Sequence, residues 1–182
     1  MAPGVRPGHA APDQDSAAFG RAVLPHLDSA YNLARWVVRD PSLADDVVQG
    51  AVLRALRYFA SFRGDNTRAW LLRIVRHAAY DALADRTRTR TEDADGTAAA
   101  EIPDPADDPE TAFARRRQSA WLQRAIANLP AELRECLVLR ELEELSYKEI
   151  AHITGVPVGT VMSRLWRARQ TLLTDGKREA AP

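Results

Sequence analysis

The sequence predicts an all-α protein of two small helical domains joined by a flexible acidic linker, with a helix-turn-helix in the C-terminal domain. Two tracts, 19–86 and 115–176, repeat large apolar residues at spacings of three and four, the period of a helix with one buried face. Neither tract contains a strand-like alternation of useful length, and the stretch between them is rich in Asp, Pro and Thr with few large apolar groups. The boundaries that follow are a disordered lead over 1–18, a helical domain over 19–86, a linker over 87–114, a second helical domain over 115–176 and a tail over 177–182.

In the first domain, Phe19, Val23, Leu27, Tyr31, Ala34 and Val38 step along one helix, with Pro25 near its start or kinking it, and Asp40-Pro41 ends it. Ser42 is the expected cap of the next helix, which buries Leu43, Val47, Ala51, Val52, Ala55, Leu56 and Phe59. Gly50 in its middle costs about 1 kcal/mol relative to alanine. SFRGDN at 61–66 breaks the periodicity as a loop, and Thr67 caps a third long helix with Trp70, Leu71, Ile74, Ala78 and Ala82 inward. The other face of that helix presents Arg73, Arg76, His77 and Tyr80. Basic groups interleaved with aromatic rings suit single-stranded DNA, with Tyr80, Tyr58 and Phe62 the candidate stacking residues, whereas Phe59 and Trp70 fall on core positions.

Repeated Asp-Pro pairs and many carboxylates leave the linker too little apolar surface to offset the entropy of ordering it. Beyond it, Trp121, Leu122, Ala125, Ile126 and Leu129 form one amphipathic helix, and Pro130 opens another containing Leu133, Cys136 and Leu137. Ser146 and Glu149 then make a capping box, Gly155 closes a short helix in the left-handed conformation, and Pro157 cannot continue it. The following helix turns Val161, Leu165, Ala168 and Leu172 inward and Thr160, Ser163, Arg164 and Arg167 outward. A short helix, a tight turn and a second helix with a hydroxyl-rich basic face is the arrangement that lays its second helix in the DNA major groove.

Composition narrows the function further. The 25 basic and 25 acidic residues cancel over the 182-residue chain, but both helical tracts are basic and the segment between them is acidic, as suits nucleic acid at each end. No apolar run approaches a membrane span, the N-terminal residues lack a secretory core, and the lone cysteine, Cys136, cannot form an internal disulfide, so a cytoplasmic protein without membrane insertion is expected. Cys136 reads as a small core residue, with a redox switch as the lesser reading. His9, His26, His77 and His152 show no ligand spacing, so no metal, cofactor or catalytic residue is expected.

These motifs, in this order, resemble the extracytoplasmic-function (ECF) sigma factors of bacterial RNA polymerase. The resemblance covers nearly all of 19–175 and rests on ADDVVQGAVLRAL, FRGDNTRAWLLRIVRHAAYDALADR, LPAELRECLVLRELEELSYKEIA and GVPVGTVMSRLWRAR. It implies a non-enzymatic initiation subunit whose partners are core polymerase (clamp helices of the largest subunit, and the flap), promoter DNA and an anti-sigma factor. By position, it implies that Asp45, Asp46, Val48, Gln49, Leu53 and Arg54 grip the clamp helices. Arg63, Asp65, Asn66, Arg73, Arg76, His77 and Tyr80 would meet the downstream (minus ten) element, with a base flipped into the 63–66 loop. Thr160, Met162, Ser163, Arg164, Trp166 and Arg167 would face the upstream (minus thirty-five) element. Gly50, His77 and Met162 depart from residues common in the family. The alternative is a stand-alone helix-turn-helix regulator, which would bind duplex DNA tightly without polymerase.

Overall fold

The computed structural model describes residues 12–89 and 120–179, and every regular element among them is a helix. The linker expected over 87–114 lies outside the described residues from position 90 onward. Its first residues, Thr87 to Thr89, instead continue the helix that precedes them.

Helix α1 spans Pro12–Val23, so the helical domain begins ahead of Phe19 and the expected lead is partly helical. Pro25 then interrupts the chain, because its ring cannot supply a helix-interior N–H, and Leu24–His26 form a single 3-10 turn before α2 (Leu27–Val38). The one helix expected from Phe19 to Val38 is therefore two. Arg39 closes α2 at φ 61°, and α3 (Pro41–Phe59) follows at once. Its cap is Asp40 rather than Ser42. Pro41 occupies the first helical position, where no amide donor is needed, and that sets the helix start two residues early. The Asp40 carboxylate accepts from the Leu43 amide at 3.2 Å and from Arg86 Nη1 at 2.9 Å, tying the start of α3 to the far end of α4.

Helix α4 (Thr67–Thr89) is capped by Asn66, whose Oδ1 accepts from the Ala69 amide at 2.9 Å. Its buried stripe is Ala69, Leu71, Leu72, Val75 and Ala79, while Trp70, Ile74, Ala78 and Ala82 are only half-buried. The inward face is rotated from the expected one because α4 packs on α2, α3 and also on α7 of the C-terminal half, so it buries a wider arc than a two-neighbour helix would. On α3 the buried residues are Ala44, Val47, Ala51 and Ala55, small side chains that let it lie close against α2 and α4. Leu56, expected inside, is exposed.

In the C-terminal half a helix over 120–128 (α5) turns at Leu129 and Pro130 into α6 (Ala131–Glu141), followed by α7 (Tyr147–Thr154) and α8 (Val158–Glu179). The capping box is present: Glu149 N–H donates to Ser146 Oγ at 3.3 Å and Ser146 N–H to Glu149 Oε2 at 2.8 Å. Gly155 takes φ 74°, as the turn requires, and Val161, Leu165 and Ala168 of α8 are buried as expected. Ser146→Ala should cost about 1 kcal/mol in urea denaturation. The Ser146 cap also holds the Glu149 carboxyl below its usual range. Because the folded value is depressed, its contribution is complete above the unfolded value near about pH 4.3 and disappears as pH falls through the lowered one. The destabilisation by Glu149→Gln should therefore shrink as the pH is lowered from neutral into the acid range.

The two halves are packed on one another. Helix α6 lies against α2 and α7 against α4, and a continuous apolar cluster runs from Leu33, Leu72 and Val75 to Cys136, Leu139, Ile150 and Ile153. One buried cation spans the junction. Arg134 donates to Ala127 O (2.7 Å) and Leu129 O (2.8 Å) at the end of α5, and to Trp36 O (2.7 Å) and Val37 O (3.4 Å) at the end of α2. A single guanidinium thus satisfies the orphan carbonyls of two helix C-termini, where the backbone dipole is negative.

Candidate nucleic-acid interface

The outer face of α3 carries Asp45, Asp46, Gln49, Leu53 and Arg54, all exposed, with Val48 half-buried at its margin. Leu53 is 64% exposed, and Leu56 and Tyr58 extend the apolar surface beside it. A leucine that open on a helix whose opposite face is well packed suits a protein contact better than solvent. Gly50 lies on this face, and a Cβ there would meet nothing within 4 Å. Gly50→Ala should accordingly stabilise the fold by about 0.4–1 kcal/mol, read from the urea midpoint.

The 60–66 loop is shaped by Phe62, which stacks on Trp70 with ring centroids 4.6 Å apart and interplanar angle 26°. A Cβ on Gly64 would lie 2.9 Å from the Phe62 ring, so glycine is what lets the chain pass over it. Phe62 is therefore a packing residue, and of the three candidate stacking aromatics only Tyr58 stands clear. Arg63 Nη1 donates to Ala60 O at 2.5 Å and Phe62 O at 3.1 Å, while Asp65 is exposed. Asn66, besides capping α4, donates to Glu149 Oε1 of α7 at 2.8 Å.

Along α4, Arg73 and His77 are exposed, but Arg76 and Tyr80 turn into the junction between the halves. Arg76 donates to both carboxylate oxygens of Glu135, at 2.8 and 3.2 Å, and Tyr80 Oη donates to Oε2 at 3.0 Å. The Arg76 guanidinium also lies 4.7 Å from the Tyr80 ring centroid. Burial, reinforced by the adjacent Glu135 charge, pushes the Tyr80 hydroxyl well above its usual range, so it remains a donor at any physiological pH.

Helix α8 presents Met162, Trp166 and Arg167 outward, Trp166 at 63% exposure, with Thr160 and Ser163 half-buried beside them. Ser163 Oγ donates to Thr160 O at 2.9 Å. Arg164 departs from the expected outward set. Its side chain points back to α6, with Nη1 3.6 Å from Glu135 Oε1, because that buried carboxylate draws it in. Cys136, next to Glu135, is fully buried and burial pushes its thiol up to about 11, which leaves it a core residue with negligible thiolate. Among the described residues no cluster of His, Cys, Asp and Glu has metal-ligand geometry, and no helix is long and apolar enough to cross a membrane.

Two residues with clear structural roles had no sequence signal in the helical pattern. Arg134 and Glu135 follow Leu133 on α6 and look like ordinary solvent-facing charges, yet both are buried because α6 packs against α2, α7 and α8 and the side chains of Arg76 and Tyr80 close over Glu135. Only the burial of α6 on every side, visible in the run from Leu133 to Leu139, distinguishes them.

Residues 22–89 match the Sigma-70 region 2 family and residues 119–172 match Sigma-70, region 4. The chain is 39% identical over 166 residues to the RNA polymerase sigma-H factor of Pseudomonas aeruginosa, covering 87% of this chain and 86% of that protein. It is 36% identical over 169 residues to the ECF RNA polymerase sigma-E factor of Escherichia coli K12, covering 87% and 86%. Among solved structures it resembles the sigma factor RpoE of Bartonella quintana in complex with the anti-sigma factor NepR, with TM-score 0.72, 26% identity and coverage of 88% and 97%. It also resembles CnrH in complex with the cytosolic domain of CnrY, with TM-score 0.65, 25% identity and coverage of 92% and 96%. With both sigma regions present in order and relatives of this similarity over most of its length, the chain belongs to the ECF group of the sigma-70 family of RNA polymerase sigma factors.

Proposed function

We propose that the outer face of α3 docks on the clamp helices of the polymerase's largest subunit, while the 63–66 loop with α4 reads the downstream promoter element and α8 reads the upstream one. As an ECF sigma factor the chain binds core RNA polymerase and directs initiation at promoters. The observation that carries the division of labour is exposure: Asp45, Asp46, Gln49, Leu53 and Arg54 share one open face, and Met162, Trp166 and Arg167 share another on a separate helix. Val48 borders the first face, and Thr160, Ser163 and Arg164 border the second.

In the downstream surface, Arg63, Asp65, Asn66, Arg73 and His77 line an exposed loop and helix edge. Arg76 and Tyr80 join them once they leave Glu135. The domains that do this work are 19–86 and 115–176, which share one apolar cluster in the closed protein. The flap of the polymerase is the natural seat of the second domain, since that would hold α8 over DNA while α3 holds the clamp. Bond formation between nucleotides belongs to the polymerase, and the chain works in the cytoplasm where polymerase and DNA are. An anti-sigma factor restrains it, by analogy with the RpoE and NepR complex that its structure resembles.

A stand-alone regulator needs no counterpart of region 2, and the match over 22–89 together with the open α3 face disfavours it. The test is run-off transcription on genomic fragments by core polymerase with and without the protein. New start sites are expected, and unchanged start sites would defeat the assignment. In the same assay Arg167→Ala should reduce promoter use about tenfold by removing a base-edge or phosphate contact, with polymerase binding unchanged in co-elution. Loss of polymerase binding in that variant would contradict the division proposed.

A further inference from the structure

The chain closes on itself without help from a second protein, and the closure uses groups assigned above to promoter DNA. Glu135, 0% exposed, is met by Arg76 through two nitrogens, by the Tyr80 hydroxyl, and by Arg164 at 3.6 Å. A bidentate guanidinium and a hydroxyl converging on an anion is the set of donors a DNA phosphate would receive. Arg164 Nη1 is buried with no hydrogen bond of its own, so the Glu135 charge is its main compensation.

Three more contacts cross the same junction. Glu143, also buried, accepts from Arg68 Nη2 (2.5 Å) and Asn32 Nδ2 (3.3 Å), Asn66 donates to Glu149, and Arg134 reaches the carbonyls of Trp36 and Val37. The carboxylates all come from the C-terminal half, and the side-chain donors of the N-terminal half that meet them include Asn66, Arg76 and Tyr80 of the downstream surface. Closure leaves the α3 face and the Met162, Trp166 and Arg167 edge of α8 uncovered. What it takes up is Arg76 and Tyr80 of the downstream surface and Arg164 at the edge of the upstream one.

We infer that Glu135 is an internal latch, a buried carboxylate that stands in for phosphate, holds the two halves of the free protein closed and withholds Arg76, Tyr80 and Arg164 from DNA. Neutralising it leaves two guanidinium groups facing each other in the junction without a counter-charge, and the halves should part. The latch rests on the assignment of Arg76 and Tyr80 to DNA for its masking role, though not for closure itself.

The test compares wild type with Glu135→Gln and, as a charge-matched control, Glu141→Gln, whose exposed carboxylate pairs with Arg169 inside the same half. Two quantities are read on each full-length protein: the radius of gyration by small-angle X-ray scattering, and binding to a fluorescein-labelled duplex of arbitrary sequence at low salt. Glu135→Gln should enlarge the radius and raise DNA affinity about tenfold or more, since released cations then neutralise phosphates, and Glu141→Gln should do neither. An unchanged radius in Glu135→Gln overturns the latch and leaves the promoter assignment standing. An enlarged radius with unchanged DNA affinity overturns the masking and counts against Arg76 and Tyr80 as DNA contacts.

Should Glu135→Gln lose helix content by circular dichroism, the reverse experiment decides. Asn32→Cys with Glu143→Cys, joined by a short thiol-cleavable bis-maleimide, fixes α2 to the α6–α7 turn. The joined protein should bind the same duplex about tenfold more weakly than after cleavage, as expected when phosphate-neutralising cations are withheld. Equal binding before and after cleavage overturns the proposal.

Discussion

Alanine at position 134 is expected to lower the stability of the protein by about 3–5 kcal/mol in urea denaturation followed by circular dichroism, the range for removing one member of a buried charged network. Arg134 is 6% exposed and has four carbonyl acceptors and, among the described residues, no carboxylate hydrogen-bonded to it. Its removal strands the ends of α2 and α5 together, in space too enclosed for water to replace every bond. Burial, with the neighbouring Arg39 charge, already pulls the Arg134 guanidinium below its ordinary value, and the nearby Glu135 charge offsets this only in part. Lysine should rescue little, because one ammonium cannot address two helix termini with a planar fork. A loss under about 1 kcal/mol would mean that the carbonyls find other partners.

Changing Gln49 to alanine and Leu53 to aspartate together should abolish stable association with core polymerase, with a fall in affinity of about a hundredfold or more, as expected when an anchor at the centre of an interface becomes a desolvated charge. Both residues are exposed on α3 and contribute nothing to its packed face, so the variant should keep the wild-type unfolding midpoint. Co-elution with core enzyme measures the first and thermal denaturation the second. Normal co-elution would remove α3 from the polymerase contact. A lowered midpoint would mean that the lost binding came from damage to the fold.

Much of this was legible in the residues themselves. The Ser146–Glu149 box, Gly155 and the 161, 165, 168 register of α8 depend only on near neighbours in the chain, and each is found where expected. The departures have two causes. The break at Pro25 and the Asp40 cap follow from where a proline ring is tolerated at a helix start, whereas the rotated face of α4 and the exposed Leu56 turn on which helices lie alongside, a matter that one helix's periodicity does not encode. The candidate surfaces divide in the same way. The outer faces of α3 and α8 follow from local pattern, whereas the withdrawal of Arg76 and Tyr80 of α4 toward Glu135 of α6 involves residues more than fifty positions apart, and that of Arg164 involves a separate helix, α8.

Taken alone, the sequence determined the all-helical class, the helix-turn-helix and the order of the two sigma regions, because helix periodicity, caps and turn residues act over four or five neighbours. Only the tertiary structure decided which charges are solvated and which are spent inside. A charge on a helix with one neighbour reads the same in sequence as a charge on a helix enclosed by several. Its fate is set by what packs across from it, and for Glu135 that is Arg76 and Tyr80 of the other half.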